Sequence, residues 1–263
     1  MDEYGDSNKP SSDDGPLPFC HSRTRAPNDY VHFRRLMLRL TIPELPIPMN
    51  RSFWLSSRSD DVRVYYAYQH RYPESRGSVA GLYHSSSTIC PLFRGFKPHR
   101  IIFQIRSKDN GHITRGRGGQ LLCNNTWVEA SILRLSPETS LQRDACAVED
   151  LENDPLVYRQ WKDPPAARQA LQERGWDFVE GKNKNLTWPV HLNTSNSKEY
   201  RNFCVTWVKG VESQVNRGFF GHEQEFIDLL EAGRRVVLWA RAEGVVWDTR
   251  LEAATIEIEF RLS

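Results

Sequence analysis

No stretch of this chain approaches the roughly 18 consecutive apolar residues that a membrane-crossing helix needs, so no membrane partner is expected. The opening residues, Met1-Asp2-Glu3-Tyr4, are acidic and polar and lack the apolar centre of a secretory leader, which predicts an intracellular, cytoplasmic setting. The five cysteines (Cys20, Cys90, Cys123, Cys146 and Cys204) include no C-x-x-C pair. An odd, scattered set of this kind predicts reduced thiols rather than a disulfide framework or a zinc site. Excess charge is also missing. Thirty-five Lys and Arg against 33 Asp and Glu leave +2, which argues against a dedicated nucleic-acid binder. There is no G-x-S-x-G elbow, no H-E-x-x-H helix, no phosphate-loop spacing and no repeat of fixed period. Neither a metal nor a cofactor is therefore expected.

What the chain does have is aromatic residues and alternation. Eight Trp and nine Tyr in 263 residues favour strands and binding surfaces. The last strand is the plainest: Ala254, Ile256, Ile258, Phe260 and Leu262 alternate with Thr255, Glu257, Glu259 and Arg261, a period of two that predicts one buried and one wet face. Before it, Arg235 to Ala240 is apolar on both faces, as in a central strand covered on both sides. The two read as a closing hairpin. Further strands are expected at 31–42, 61–72, 100–106, 126–135 and 203–209, with Val62, Val64, Tyr66 and Tyr68 sharing one face of the second. Residues 73–98 read as a long irregular excursion with weak strand character around 87–92.

Helices are few. Pro164-Pro165 opens a helix that Gly175 stops, and a second spans about 221–232 before Gly233. Residues 1–30, rich in Asp, Ser, Pro and Gly, read as a disordered tail. The expected architecture is all-β: a single domain over 31–263, a two-sheet jelly-roll-like sandwich with a few short connecting helices, its first and last strands side by side.

Two segments carry a family resemblance. Glu225 to Asp248 contains Trp239-Ala240-Arg241-Ala242 and Trp247 and is followed by Ile256-Glu257-Ile258. Thr126-Trp127-Val128-Glu129-Ala130-Ser131 follows the turn Ser107-Lys108-Asp109-Asn110-Gly111 and a Gly-rich loop. Together these resemble a β-sandwich domain common in filamentous fungi, whose members often carry ankyrin repeats or F-box segments. The chain departs from that pattern at Ala232-Gly233-Arg234-Arg235, where the family has Pro-Gly-Asp-Arg, and at Val245-Val246, where it has Pro-Gly. The resemblance implies the fold and a fungal, intracellular setting, and supplies no catalytic residue.

Two sets of residues are candidates for chemistry. Asp109, His112 and Glu129 flank one turn and its returning strand, and an acid–base site needs such groups to converge. Trp127, Trp239, Arg241, Trp247 and Asp248 form a second set, since indole faces beside an Arg and an Asp stack on sugars and fix their orientation. The leading expectation is a non-catalytic binding module that takes a carbohydrate-like ligand or a protein partner through Trp-rich loops. The alternative is a cofactor-free fungal enzyme of a biosynthetic pathway. The four N-x-S/T matches, at Asn50, Asn124, Asn185 and Asn193, read as chance occurrences in polar loops.

Overall fold

The computed structural model describes residues 51–58, 62–67, 77–89, 96–109, 114–115, 121–122, 125–136, 151, 154–193, 199–211, 223–244 and 247–262. The expected tail at 1–30, the strand at 31–42, the Asn110-Gly111 turn and His112 lie outside those residues. The strands in chain order are β1 (Arg51–Arg58), β2 (Arg63–Tyr66), β3 (Ser78–Ser85), β4 (Phe96–Asp109), β5 (Thr114–Arg115), β6 (Leu121–Leu122) and β7 (Thr126–Leu135). They continue with β8 (Gln160–Trp161), β9 (Trp176–Phe178), β10 (Trp188–Leu192), β11 (Arg201–Val208), β12 (Arg234–Glu243) and β13 (Asp248–Leu262). Two short helices, α1 (Arg168–Glu173) and α2 (Glu223–Asp228), join them. Among the described residues no helix is long and apolar enough to cross a membrane.

The strands form an all-β sandwich of two antiparallel sheets. One has five strands in the order β1-β13-β4-β11, with β2 also on β13; the other has six, β10-β7-β12-β3-β8, with β9 also on β7. The small β5–β6 ribbon stands apart from both. Strand β13 is the axis of the first sheet. It pairs with β4 from Thr249 to Leu262 on one flank, and with β2 and then β1 on the other. Its alternation does what the sequence predicts on the inner side: Ala254, Ile256, Ile258 and Phe260 are buried. The outer side is less wet than expected. Glu259 is only 2% exposed; it accepts a hydrogen bond from Arg261 at 3.1 Å and pairs with the Arg100 charge at 3.0 Å.

Strands β12 and β13 do not form the expected hairpin. Strand β12 has β7 on one flank and β3 on the other, and β13 is flanked on both sides in the opposite sheet. Neither has an edge left for the other, so the chain crosses between sheets at the turn. There Gly244 takes φ of 101°, and an added Cβ would lie 2.7 Å from Trp247 Cδ1. The indole folds back into the crossing instead of reaching solvent.

The inter-sheet core is built from alternate residues of facing strands: Ile256 and Ile258 of β13, Ile101, Phe103 and Ile105 of β4, and Val128, Ala130, Val236 and Leu238 across β7 and β12. Helix α2 plugs one end. Its Phe226 meets Trp188 and Trp207 edge-on, each with a centroid separation of 5.2 Å. A second core covers the outer face of the six-stranded sheet. Val237 and Trp239 of β12, Leu82 of β3 and Leu133 of β7 pack under Leu156, Leu171 and Trp176 from the segment that carries α1. That segment begins as a 3-10 turn, Pro164–Ala167, whose Ala166 N–H donates to Asp163 at 2.9 Å, and only then becomes α-helical. Gly175, at φ of 82°, stops it as expected. Burial is the largest single influence on Asp177 beneath it and penalises its charge, but the two-pronged hydrogen bond from Arg168 (2.8 and 3.2 Å), the Phe178 N–H at 2.9 Å and the Arg168 charge together outweigh it and hold the carboxyl below its ordinary pKa.

One expectation is overturned here, and a face that alternation left open is decided beside it. Residues 78–85, read as part of an irregular excursion, form β3 inside the six-stranded sheet. Strand β2 turns the other face inward: Arg63, Tyr65 and Ala67 are buried, while Val62 and Tyr66 are 53% and 51% exposed. One contact accounts for both. Gly81 lies opposite the Tyr65 ring, and a Cβ there would sit 1.9 Å from Tyr65 Cε1. A glycine that interrupts the strand pattern in sequence is the socket for an aromatic ring from the other sheet. Gly81→Ala is expected to destabilise the fold by about 1–3 kcal/mol through overpacking, and Tyr65→Leu in the same chain to recover part of the loss. Urea denaturation of both variants measures it.

Candidate functional site

On the outer face of the six-stranded sheet, Trp127 of β7 stands directly opposite Arg241 of β12, and Glu129 opposite Trp239. Arg241 and Glu129 are thus diagonal neighbours on one face, within reach of a long side chain. The Arg241 guanidinium donates through Nη1 to Glu129 Oε1, through Nε to the Val79 carbonyl at 3.2 Å and through Nη2 to Ser78 Oγ at 3.4 Å. Its carbon lies 5.0 Å from the centre of the half-buried Trp127 ring. Glu129 is 4% and Arg241 9% exposed. Charges this enclosed persist only when paired and hydrogen-bonded, and here both conditions hold.

The rest of the expected ligand set is elsewhere. Trp239 is wholly buried in the second core, its Nε1 donating to Ser131 Oγ at 3.0 Å and its ring stacked on Phe178. Trp247 belongs to the inter-sheet core, on the other side of the sheet from Arg241. The cation–π partner of Arg241 is accordingly Trp127. Asp248 is buried beside Arg250, which grips it at 3.0 and 3.3 Å; that hydrogen bond raises the pKa of Arg250. Of the five residues, the structure brings together Trp127 and Arg241, and it adds Glu129 from the other set. It also adds Trp161 of β8, half-buried and two strands from Arg241 across Ala80.

The acid–base set does not assemble. Asp109 closes β4 on the side facing the opposite sheet and is 2% exposed. Glu129 faces away from that layer, so the six-stranded sheet lies between the two carboxylates. His112 lies outside the described residues. Among those residues, no group of three or more His, Cys, Asp or Glu is placed to hold a metal ion.

Near Asp109 the structure shows a polar group that the sequence reading missed. Asn193, 2% exposed, ties the sheets together. Its Nδ2 donates to Thr126 Oγ1 at 3.2 Å and to Thr249 Oγ1 at 3.0 Å, and its Oδ1 accepts from Ser107 Oγ at 2.7 Å. The glycosylation-type match at Asn193 is thus a buried clasp. A hint of it stood in β4, whose inward series Ile101, Phe103, Ile105 turns polar at Ser107.

No family model matches the chain, and no curated protein matches it either. Among solved structures, the cryo-EM structure of Mud crab tombus-like virus aligns over 100% of this chain and 94% of that chain, at 8% identity and a TM-score of 0.23. A likeness at that score carries no argument about fold or function.

The enclosed pair makes a sharp prediction. Glu129→Ala, which leaves Arg241 buried without its carboxylate, is expected to cost about 3–5 kcal/mol, while Glu129→Met combined with Arg241→Met costs less than the single change. A double-mutant cycle in denaturant reads the difference.

Proposed function

We propose that this chain is a non-catalytic binding module that takes a carbohydrate-like ligand at the half-buried Trp127, which lies at the start of β7 on the outer face of the six-stranded sheet and is not part of the core that covers the rest of that face. The carrying observation is the fixed geometry at Trp127. Its ring is half-buried, and the guanidinium beside it is already committed to Glu129, Val79 and Ser78. An indole held this way is preorganised for stacking and gives up little side-chain freedom on binding. The Arg241–Glu129 charges cancel, so the surface suits a neutral sugar face better than an anion. This narrows the ligand surface from Trp-rich loops to one sheet face, because Trp239 and Trp247 are buried. Membership of the fungal sandwich family and an intracellular setting belong to the same proposal, and rest on the sequence resemblance. The enzyme alternative has less behind it, since Asp109 and Glu129 lie on opposite sides of a sheet.

The test is a tryptophan-fluorescence titration with a panel of neutral and acidic oligosaccharides. Trp127→Ala is expected to weaken binding at least tenfold, about 1.4 kcal/mol, and to leave the melting temperature near that of the parent. Trp239→Ala, by contrast, is expected to lower the melting temperature sharply, as removal of a core aromatic does. A parent protein that binds no member of the panel, or a Trp127→Ala variant that binds as tightly, overturns the reading.

A further inference from the structure

Strand β10 is the outermost strand beside one half of β7, and β11 is the last strand of the facing sheet. Among the described residues, one ring contact joins these two strands directly. His191 of β10 lies on Phe203 of β11 with centroids 3.8 Å apart. Its Nε2 is enclosed and has no hydrogen-bond partner among the described residues. The ladder holding β10 to β7 is thin. Pro189 has no N–H to give, and the register shifts between Pro189 and His191.

We propose that His191 is an acid-sensitive latch, and that its protonation releases β10 from the β11 side of the sandwich. Protonation turns Nε2 into a second donor where the described residues offer no acceptor, and places a cation in an apolar contact. The neighbouring strands present Val128 of β7, Phe203 of β11 and Ile105 of β4 at this level. The ionisable inward residues nearest this level are Asp109, further along β4, and Arg201, exposed at the start of β11; Arg134 lies exposed at the far end of β7. Arg106, Lys108 and Tyr200 cluster on the outer face of the five-stranded sheet. Burial pushes the imidazole down from 6.5 to about 4. The folded-state value lies below the unfolded one, so the stabilisation is complete above pH 6.5 and is lost as the pH falls towards 4. The Asn193 clasp, two residues on, limits how far the opening spreads. The strand that comes away carries Trp188, 1% exposed in the closed form.

Amide hydrogen exchange, corrected for the intrinsic effect of pH, tests this. Opening of Val190 to Leu192 is expected to become roughly thirtyfold more favourable between pH 7.5 and pH 5. At pH 5 those amides should be less protected than Val236 to Ala240 of β12. In His191→Phe, which keeps a ring against Phe203, the change with pH should vanish; His191→Gln serves if that variant does not fold. Protection in β10 that is indifferent to pH overturns the latch, as does an unchanged pH response in both variants. Equal protection of β10 and β12 at pH 5 also overturns it, because opening is then global.

Discussion

The constraint on which the rest of this structure depends is that β12 must be covered on both faces. Its residues from Arg235 to Ala242 are all buried, alternate ones in different cores. A sheet with one wet face cannot hold such a strand, because half of its apolar area would stay in water. The five-stranded sheet covers one side. The segment from Leu151 to Leu186, with its turns and the short α1, covers the other. This third layer is what a plain two-sheet sandwich lacks, and it explains why Trp176, Phe178 and Trp239 are core residues.

Polar chemistry follows the same layering. Three groups drawn inside are held by specific partners: Arg241 by Glu129 and Ser78 of the neighbouring strands, Asp177 by Arg168 of α1, and Asn193 by hydroxyls of both sheets. Satisfied in this way, such groups fix register and sheet spacing more than they add stability. At His191, by contrast with these three, the described residues leave the enclosed Nε2 without a hydrogen-bond partner. The sandwich is therefore closed by a firm clasp at Asn193 and a pH-dependent contact two residues away.

Much of the candidate site was visible as residue types, and little of it as geometry. The strand from Thr126 to Leu135 was legible residue for residue. Alternation cannot say which layer each face meets. The sequence reading therefore joined Glu129 to Asp109, which an entire sheet separates from it, and took the buried Trp239 and Trp247 as ligand groups. It missed β3, where Gly81 breaks the strand pattern, and it left open which face of β2 turns inward, because Tyr65 has somewhere to go only when Gly81 stands opposite.

By itself, the sequence determined the all-β class, the position of the strongest strands and the inner face of β13, because these follow from local periodicity along the backbone. Tertiary structure alone decided that β12 and β13 belong to different sheets, that 78–85 is a strand, and that Trp127 rather than Trp247 lies beside Arg241. Those outcomes turn on which edges remain free and which cavities accept a ring, and both are properties of strands already assembled.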